Sequence, residues 1–392
     1  MLAAEQMQAL PYATQLLARL GADVVKIEPP SGESGRGSQP AMLDPKGREV
    51  GATFLRNNLG KRSVAIDLKS DRGRKLFLAL VPKFDVVAEN FKAGTMDRLG
   101  LGYDAVRTVH PTVIYASVSG FGSDGSPYGS WPAYASIVEA MSGIYDYTRR
   151  PDEPPRANPV GALGDISSAL FATIGILAAL RHRDATGEGQ HVDVAMFDAT
   201  VAMTDIVTNF ASLGLPRQPY PPPYILDTFK ASDGWFVIQL VREHQFVRLA
   251  ETVGRPEWVD DPRLAERSGW GEHLEDVIRP GIETWAAEHT KRKAAEALTA
   301  AGVAAGPCLE SEEVIADPHL AGRNMLVAME RTDGVDQPVL IPGNPVKLSN
   351  VPEDGEGRVP WVGEHTCEVL RAELGLDDAQ LAALAEAGII SL

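Results

Sequence analysis

The chain has 392 residues, 44% hydrophobic and 23% charged, which gives enough apolar mass for one large domain or two with an ordinary globular surface. Its net charge of -16, with a pI near 5.0, argues against broad binding to nucleic acid or an anionic membrane, since both need positive charge. Two cysteines, Cys308 and Cys367, cannot build a disulfide framework, so a reducing cytoplasm is the expected location.

The opening MLAAEQMQAL contains Glu5 and no basic stretch, so it does not read as a signal peptide. A helix is predicted over 14–20, ended by Gly21, and a short strand over 23–27. A second strand (63–68), an amphipathic helix (71–81) and strands at 85–88 and 112–118 follow. Asp165 opens a small-residue helix reaching residue 180, whose apolar run of 12 residues is too short to span a bilayer. A strand over 190–194 and a helix over 196–212 complete this half. Strands alternating with helices imply an α/β fold with a parallel sheet covered on both faces.

The stretch 216–223, PRQPYPPP, reads as a linker because Pro blocks both helix and central strand. Beyond it come a strand (234–241) and helices over 245–253, 280–288 and 291–301, then loop-rich 338–352 and helices over 367–374 and 378–387. The organisation expected is a large domain begun by 1–215, a smaller domain over 224–320, and a segment, 321–392, that returns to the large domain.

Charge is unevenly spread. Residues 54–107 carry 11 basic and 6 acidic side chains, a local +5 against about -21 elsewhere, which suits a small polyanionic ligand as well as it suits a solvated helix face. Gly120-Phe-Gly-Ser-Asp-Gly125 fits G-x-G-x-x-G, but Pro127 and Pro132 follow, so the helix a dinucleotide site requires cannot form there. No His or Cys spacing matches a metal site, and no nucleophile elbow is present. Asp165, after Gly164 and before Ile166-Ser-Ser-Ala169, reads most simply as a helix N-cap. The same position suits a carboxylate nucleophile: the helix dipole favours its ionised form, and Gly164 leaves room for a substrate carbonyl and a backbone N–H to face an oxyanion.

Several segments in order resemble the class III CoA-transferases, the family of formyl-CoA and carnitine CoA-transferases and alpha-methylacyl-CoA racemases. They are Gly21-Ala-Asp-Val-Val-Lys-Ile-Glu-Pro29, Asn58-Leu-Gly-Lys-Arg-Ser-Val-Ala-Ile-Asp-Leu-Lys69, Val87-Ala-Glu-Asn-Phe91 with Asp97-Arg98-Leu-Gly100, Ser117-Val-Ser-Gly-Phe-Gly122, Gly164-Asp165, Thr186-Gly-Glu-Gly-Gln190 and Val362-Gly-Glu-His-Thr366. The resemblance implies a large Rossmann-like domain, a smaller α/β domain and an interlocked homodimer. It places Asp165 as the catalytic aspartate with Gly164 beside it, and Gln8 next to the thioester. Ile66, Lys69, Asn90, Phe91 and Arg98 fall where the family holds CoA, Ile66 as an apolar contact for the adenine. The implied substrates are an acyl-CoA and a carboxylic acid, with no permanently bound cofactor and no metal.

Some positions depart from the pattern. The first strand is short or missing. Pro29 stands where some members place a CoA-binding Arg, with Arg36 as a weak stand-in. Tyr134-Ala135 replaces the His-Asp pair of the racemases, which disfavours racemisation because one of two bases is gone. An acyl-CoA epimerase using another base, or an inactive CoA-binding member, are the alternative readings. Loops at 134–142 and 221–233 are expected to line the acyl pocket.

Overall fold

Six short runs rich in Val, Ile and Ala build one parallel sheet. The computed structural model, which describes residues 1–147, 149, 153–215, 221–351 and 357–392, places them at β1 (Leu2–Ala4), β2 (Val24–Glu28), β3 (Lys61–Ala65), β4 (Val86–Glu89), β5 (Ile114–Ser119) and β6 (Gln190–Ala195). Their order is β3-β2-β1-β4-β5-β6, and every neighbouring pair is parallel. This is a doubly wound arrangement that reverses direction between β1 and β4, where such sheets bind ligands beyond their carboxyl ends. The first strand is short as expected, at three residues, but it is present and central: Leu2 pairs with both Val25 and Val87.

Side-chain alternation feeds two apolar layers, as period-2 strands covered on both faces require. Val25, Ile27, Val87 and Tyr115 enter one, with Phe77, Val369 and Leu384. Val24, Val86, Ile114 and Val118 enter the other, with Leu10, Ala13, Ala169 and Ile176. Five helices matter for the site: α1 (Ala9–Arg19), α2 (Ala52–Asn57), α3 (Asp71–Leu80), α4 (Ala135–Met141) and α5 (Leu163–Thr186). α1 starts five residues before the expected helix. Pro11 sits in its first turn, where no intrahelical N–H is needed, and so does not break it. The helix expected over 196–212 ends at Ala202.

α5 has 24 residues and is long and apolar enough, by length and composition, to cross a membrane, so the shorter run expected from the sequence understates it. One side of it, Ala169, Ala172, Ile176 and Ala179, packs in the second layer. Leu170, Phe171, Ile174 and Leu177 remain exposed on another.

Contacts divide the chain into two compact units, Met1–Val207 with Ala321–Leu392, and Thr208–Leu320. The second contains an antiparallel sheet of Ile225–Ala231, Gly234–Leu240 and Ala304–Pro307 over a core in which Phe246 and Trp270 stack at 4.7 Å. Residues 221–233 are therefore mostly strand rather than the expected loop, because Ile225–Ala231 pairs along its length with Gly234–Leu240. Of the Pro-rich stretch, 216–220 lie outside the described residues. In the first unit, Leu326–Met329 and Val339–Pro342 form a hairpin that packs with Phe54 and Leu55 of α2.

Candidate active site

The loops leaving the carboxyl ends of β1, β3 and β4 carry Gln8, Ile66 with Lys69, and Asn90 with Phe91, and Arg98 ends the helical turn Thr95–Arg98 that follows β4. α1 and α5 both run antiparallel to the strands, so their N-termini, with Gln8 and Asp165, lie at this same edge.

A buried ionic network fixes the Gln8 segment. Lys61 Nζ lies 2.7 Å from Glu5 Oε1 and donates to Pro11 O and Asn58 Oδ1, each at 2.9 Å. Thr14 donates to the other Glu5 oxygen at 2.7 Å. Lys26 Nζ stands 3.5 Å from both Glu5 and Glu33, and Glu33 accepts from Met7 N at 3.0 Å. Met7 is held at φ 60, a conformation a non-glycine residue keeps only when its surroundings impose it. Asn90 completes the clamp: its amide accepts from Gln6 N and donates to Gln6 O, both at 2.9 Å. That bond spans β1 and β4, the reversal point of the sheet. Asn90, expected as a CoA ligand, thus spends its amide on positioning the chain beside Gln8. Gln8 itself is half-buried at the N-cap of α1 without capping by its side chain, and its buried Nε2 has no partner among the described residues. A buried amide donor left unsatisfied is costly.

α5 begins at Leu163, with Ala162 at φ 52 as its N-cap. Asp165 is therefore its third residue and not the cap, which removes the simple structural reading. Its half-buried carboxylate makes no hydrogen bond or ion pair among the described residues. Burial is the main cause that pushes Asp165 up to about 6; the Glu139 carboxylate adds to it and Arg56 opposes it. Glu139, on α4, is buried and accepts from Gly164 N at 3.1 Å and from Tyr145 Oη at 3.0 Å.

This arrangement corrects the expectation for Gly164. Its N–H is committed to Glu139 and not free for an oxyanion. Its small size serves packing: a Cβ there would stand 2.7 Å from Val138 Cγ2 and 3.2 Å from Ala135 Cα. The segment 134–142, expected as a pocket loop, is largely the helix α4, pressed against the start of α5.

The other predicted positions divide. Phe91 is half-buried against the layer that contains Ile66, and Arg98 is exposed, donating to Thr95 Oγ1 at 2.9 Å. Lys69 is exposed. Ile66 is only 1% exposed, bridged by its backbone to Ile390; the tail covers it, so it is core rather than a free adenine contact. Arg36 is no stand-in for an Arg at position 29, since Glu28 holds it in two contacts at 2.6 and 2.8 Å and Phe54 stacks at 3.6 Å. The basic island also divides: Lys61 is buried and Arg62 pairs with Asp23 and Glu368, leaving Lys69 and Arg98 among its exposed charges.

Glu139 and Arg56 escape sequence reasoning. The only signal for Glu139 is that it is the sole charged residue between Asp124 and Asp146. Among the described residues, no group of three or more His, Cys, Asp or Glu is placed to hold a metal.

Glu139→Gln keeps a carbonyl for the Gly164 N–H and removes the like charge. If Asp165 reacts as a carboxylate, wild-type kcat/KM falls below about pH 6, tenfold per pH unit. In the variant that inflection moves to lower pH, and a pH profile of kcat/KM reads the shift directly.

The doubly wound sheet thus carries at its ligand-binding edge a partly desolvated carboxylate and an amide, neither of them partnered among the described residues. Residues 1–366 match the model of CoA-transferase family III; the chain belongs to that family and is by that membership a CoA-transferase. It is 36% identical over 378 residues to the succinyl-CoA:mesaconate CoA-transferase of Haloarcula hispanica, covering 93% of each chain. It is 37% identical to the acetyl-CoA:oxalate CoA-transferase of Acetobacter aceti over 88% of this chain and 87% of that one. The crystal structure of a CAIB/BAIF family protein from Brucella suis superposes with a TM-score of 0.81 at 32% identity, covering 95% of this chain and 98% of that one.

Proposed function

We propose that the protein moves CoA from an acyl-CoA to a carboxylic acid through covalent intermediates on Asp165. The observation that carries this reading is the Asp165 carboxylate, partly desolvated and without a hydrogen-bond or ion-pair partner among the described residues. An Asp165 oxygen attacks the thioester carbonyl; the C–S bond breaks and CoA thiolate leaves, giving a mixed anhydride. The thiolate attacks the Asp165 carbonyl, forming aspartyl-CoA and releasing the donor acid as carboxylate. The acceptor carboxylate then attacks aspartyl-CoA, thiolate leaves, and its return to the acceptor's carbonyl gives the new acyl-CoA and restores Asp165. Charge balances at every step with no net proton or electron, so CoA is a substrate and no resident cofactor is needed.

With the Gly164 N–H engaged by Glu139, the Gln8 Nε2 is the donor proposed for the oxyanion. Lys69 and Arg98 supply counter-charge for CoA phosphates and Phe91 an apolar face. The smaller unit remains the second domain of this reading. The relatives' acids, mesaconate and oxalate, make a dicarboxylic acid the first acceptor class to test. A reducing cytoplasm suits the two free cysteines.

The test is mass spectrometry after incubation with a panel of acyl-CoAs and a hydroxylamine quench, for wild type and Asp165→Ala. A modification on Asp165 that is absent from the variant supports the reading and names the donor. CoA binding with no modification by any donor would sink it.

A homodimer is part of the proposal, supported by the exposed Leu170, Phe171, Ile174 and Leu177 on α5, since apolar patches on one helix face commonly mark interfaces. Light scattering on wild type is expected to give twice the chain mass, and Ile174→Glu a smaller one; a monomeric wild type would refute it.

A further inference from the structure

Arg56 lies outside every role assigned so far. It sits on α2, whose end is tied to α1 by Gln15 Nε2 donating to Arg56 O at 2.7 Å. The core residues Phe54 and Leu55 of α2 pack with the hairpin Leu326–Met329 and Val339–Pro342, so the helix is braced on two sides. The Arg56 guanidinium stacks over the Tyr12 ring at 5.3 Å. Tyr12 is one helical turn from Gln8, its N–H donating to Gln8 O at 2.9 Å. That chain of contacts holds the guanidinium against the first turns of α1, the helix that Gln8 opens. It is also close enough to Asp165 to draw the carboxyl's pKa down.

The guanidinium is half-buried, yet among the described residues no carboxylate pairs with it and no carbonyl accepts from it. The contrast with other Arg residues is sharp. Arg36 is paired with Glu28 at 2.6 Å, Arg62 with Asp23 at 2.6 Å, and Arg183 with Asp85 at 2.8 Å. A partly desolvated guanidinium, oriented by an aromatic face and lacking an anion, is a fork for a planar carboxylate.

We propose that Arg56, stacked on Tyr12, forms a subsite for the second carboxylate of a dicarboxylic substrate, holding it while the first carboxylate reacts at Asp165. The inference rests on the reading of Asp165 as the acyl-carrying nucleophile and adds its substrate class. The cycle is reversible, so the same subsite takes the free carboxylate of a dicarboxylic acid arriving as acceptor or as its CoA ester. A single fixed positive charge selects for the presence of that second anion, and a monocarboxylic acid of equal length leaves the guanidinium unpaired.

The experiment compares succinate with butyrate as acceptors, and succinyl-CoA with butyryl-CoA as donors, in wild type, Arg56→Gln and Arg56→Lys. It is run at pH 8, well above the value of about 6 to which Asp165 is pushed in wild type. The readout is the ratio of kcat/KM for the dicarboxylic over the monocarboxylic member, with Asp165 labelling by each CoA ester followed separately. Wild type is expected to favour the dicarboxylic member. Arg56→Gln is expected to lower that ratio about 10- to 100-fold, as loss of one charge-assisted pair does, mostly through KM, with Arg56→Lys between the two. Absence of a dicarboxylic preference in wild type, or an equal loss for both members in Arg56→Gln, overturns the subsite. Labelling of Asp165 in that case leaves the covalent reading intact, whereas no labelling by any donor removes both.

Discussion

Asp165→Asn is expected to abolish acyl-enzyme formation and to lower kcat by about 10³-fold or more, as removal of a covalent nucleophile does, while leaving the protein at least as stable as wild type. Two features make this the largest effect on activity. The carboxylate carries the acyl group or CoA in every covalent intermediate of the proposed cycle, and an amide cannot form the anhydride. Its neighbours, in turn, do not rely on it: the N-cap of α5 is Ala162, and the side chain of Asp165 has no hydrogen-bond partner among the described residues. Stability should move the other way. An acid whose folded pKa is raised, here to about 6, costs the folded state stability at all pH above that value. The cost disappears as pH falls below the ordinary carboxylate range. Asn carries no charge beside Glu139, so at pH 8 the variant should gain on the order of 1–2 kcal/mol, and the gain should shrink towards pH 4. Thermal melts at pH 8 and pH 4, with single-turnover acyl transfer, check both halves. A variant that melts well below wild type at pH 8 would mark Asp165 as a structural residue.

Activity and stability opposing each other at one side chain is what a functional site looks like when local rules are broken for a purpose. The sequence itself carries part of this. Short runs rich in Val and Ile at 23–27, 85–88 and 112–118 mark β2, β4 and β5 within a residue or two, because a strand buried on both faces leaves a local apolar run. Asp165 is legible as an acid at a helix start, and family resemblance raises it above a cap. What surrounds it is not legible. Glu139 meets Gly164 across 25 residues of chain, and nothing within ASIVEAM says that its one acid turns inward. Ile66 reads as a ligand contact because its neighbours match the family, yet the Ile390 tail buries it. Such a contact between residues hundreds apart leaves no local pattern. Gly164 misleads for a related reason: a small residue beside a nucleophile suggests space for substrate, but the space is filled by α4. Arg56 carries no pattern at all, since its meaning lies in the contrast between its own lack of an anion and the pairing of Arg36 and Arg62.

The second large effect concerns folding. Lys61→Met is expected to destabilise the protein by about 3–5 kcal/mol, the usual result of removing one partner of a buried ion pair. The pair with Glu5 has no exposure on either side chain, so Met leaves a carboxylate in the core whose remaining supports are Thr14 at 2.7 Å and Lys26 at 3.5 Å. The loss also frees Pro11 O and Asn58 Oδ1, both accepting from Lys61 Nζ, and hence loosens the turn that delivers Gln8. Glu5→Gln combined with Lys61→Met removes the stranded charge, and Lys26 still has Glu33 at 3.5 Å. The double variant should therefore recover part of the loss, giving a coupling of about 1–3 kcal/mol in a double-mutant cycle. Denaturant melts of the four proteins measure it. If the single and double variants fall equally, the network contributes packing alone, and the positioning of Gln8 must come from the Asn90 clamp on Gln6. If the double variant recovers stability but not activity, the buried charges are retained for the site rather than for the fold, because Pro11 O and Asn58 Oδ1 have lost the Lys61 Nζ that holds the turn delivering Gln8.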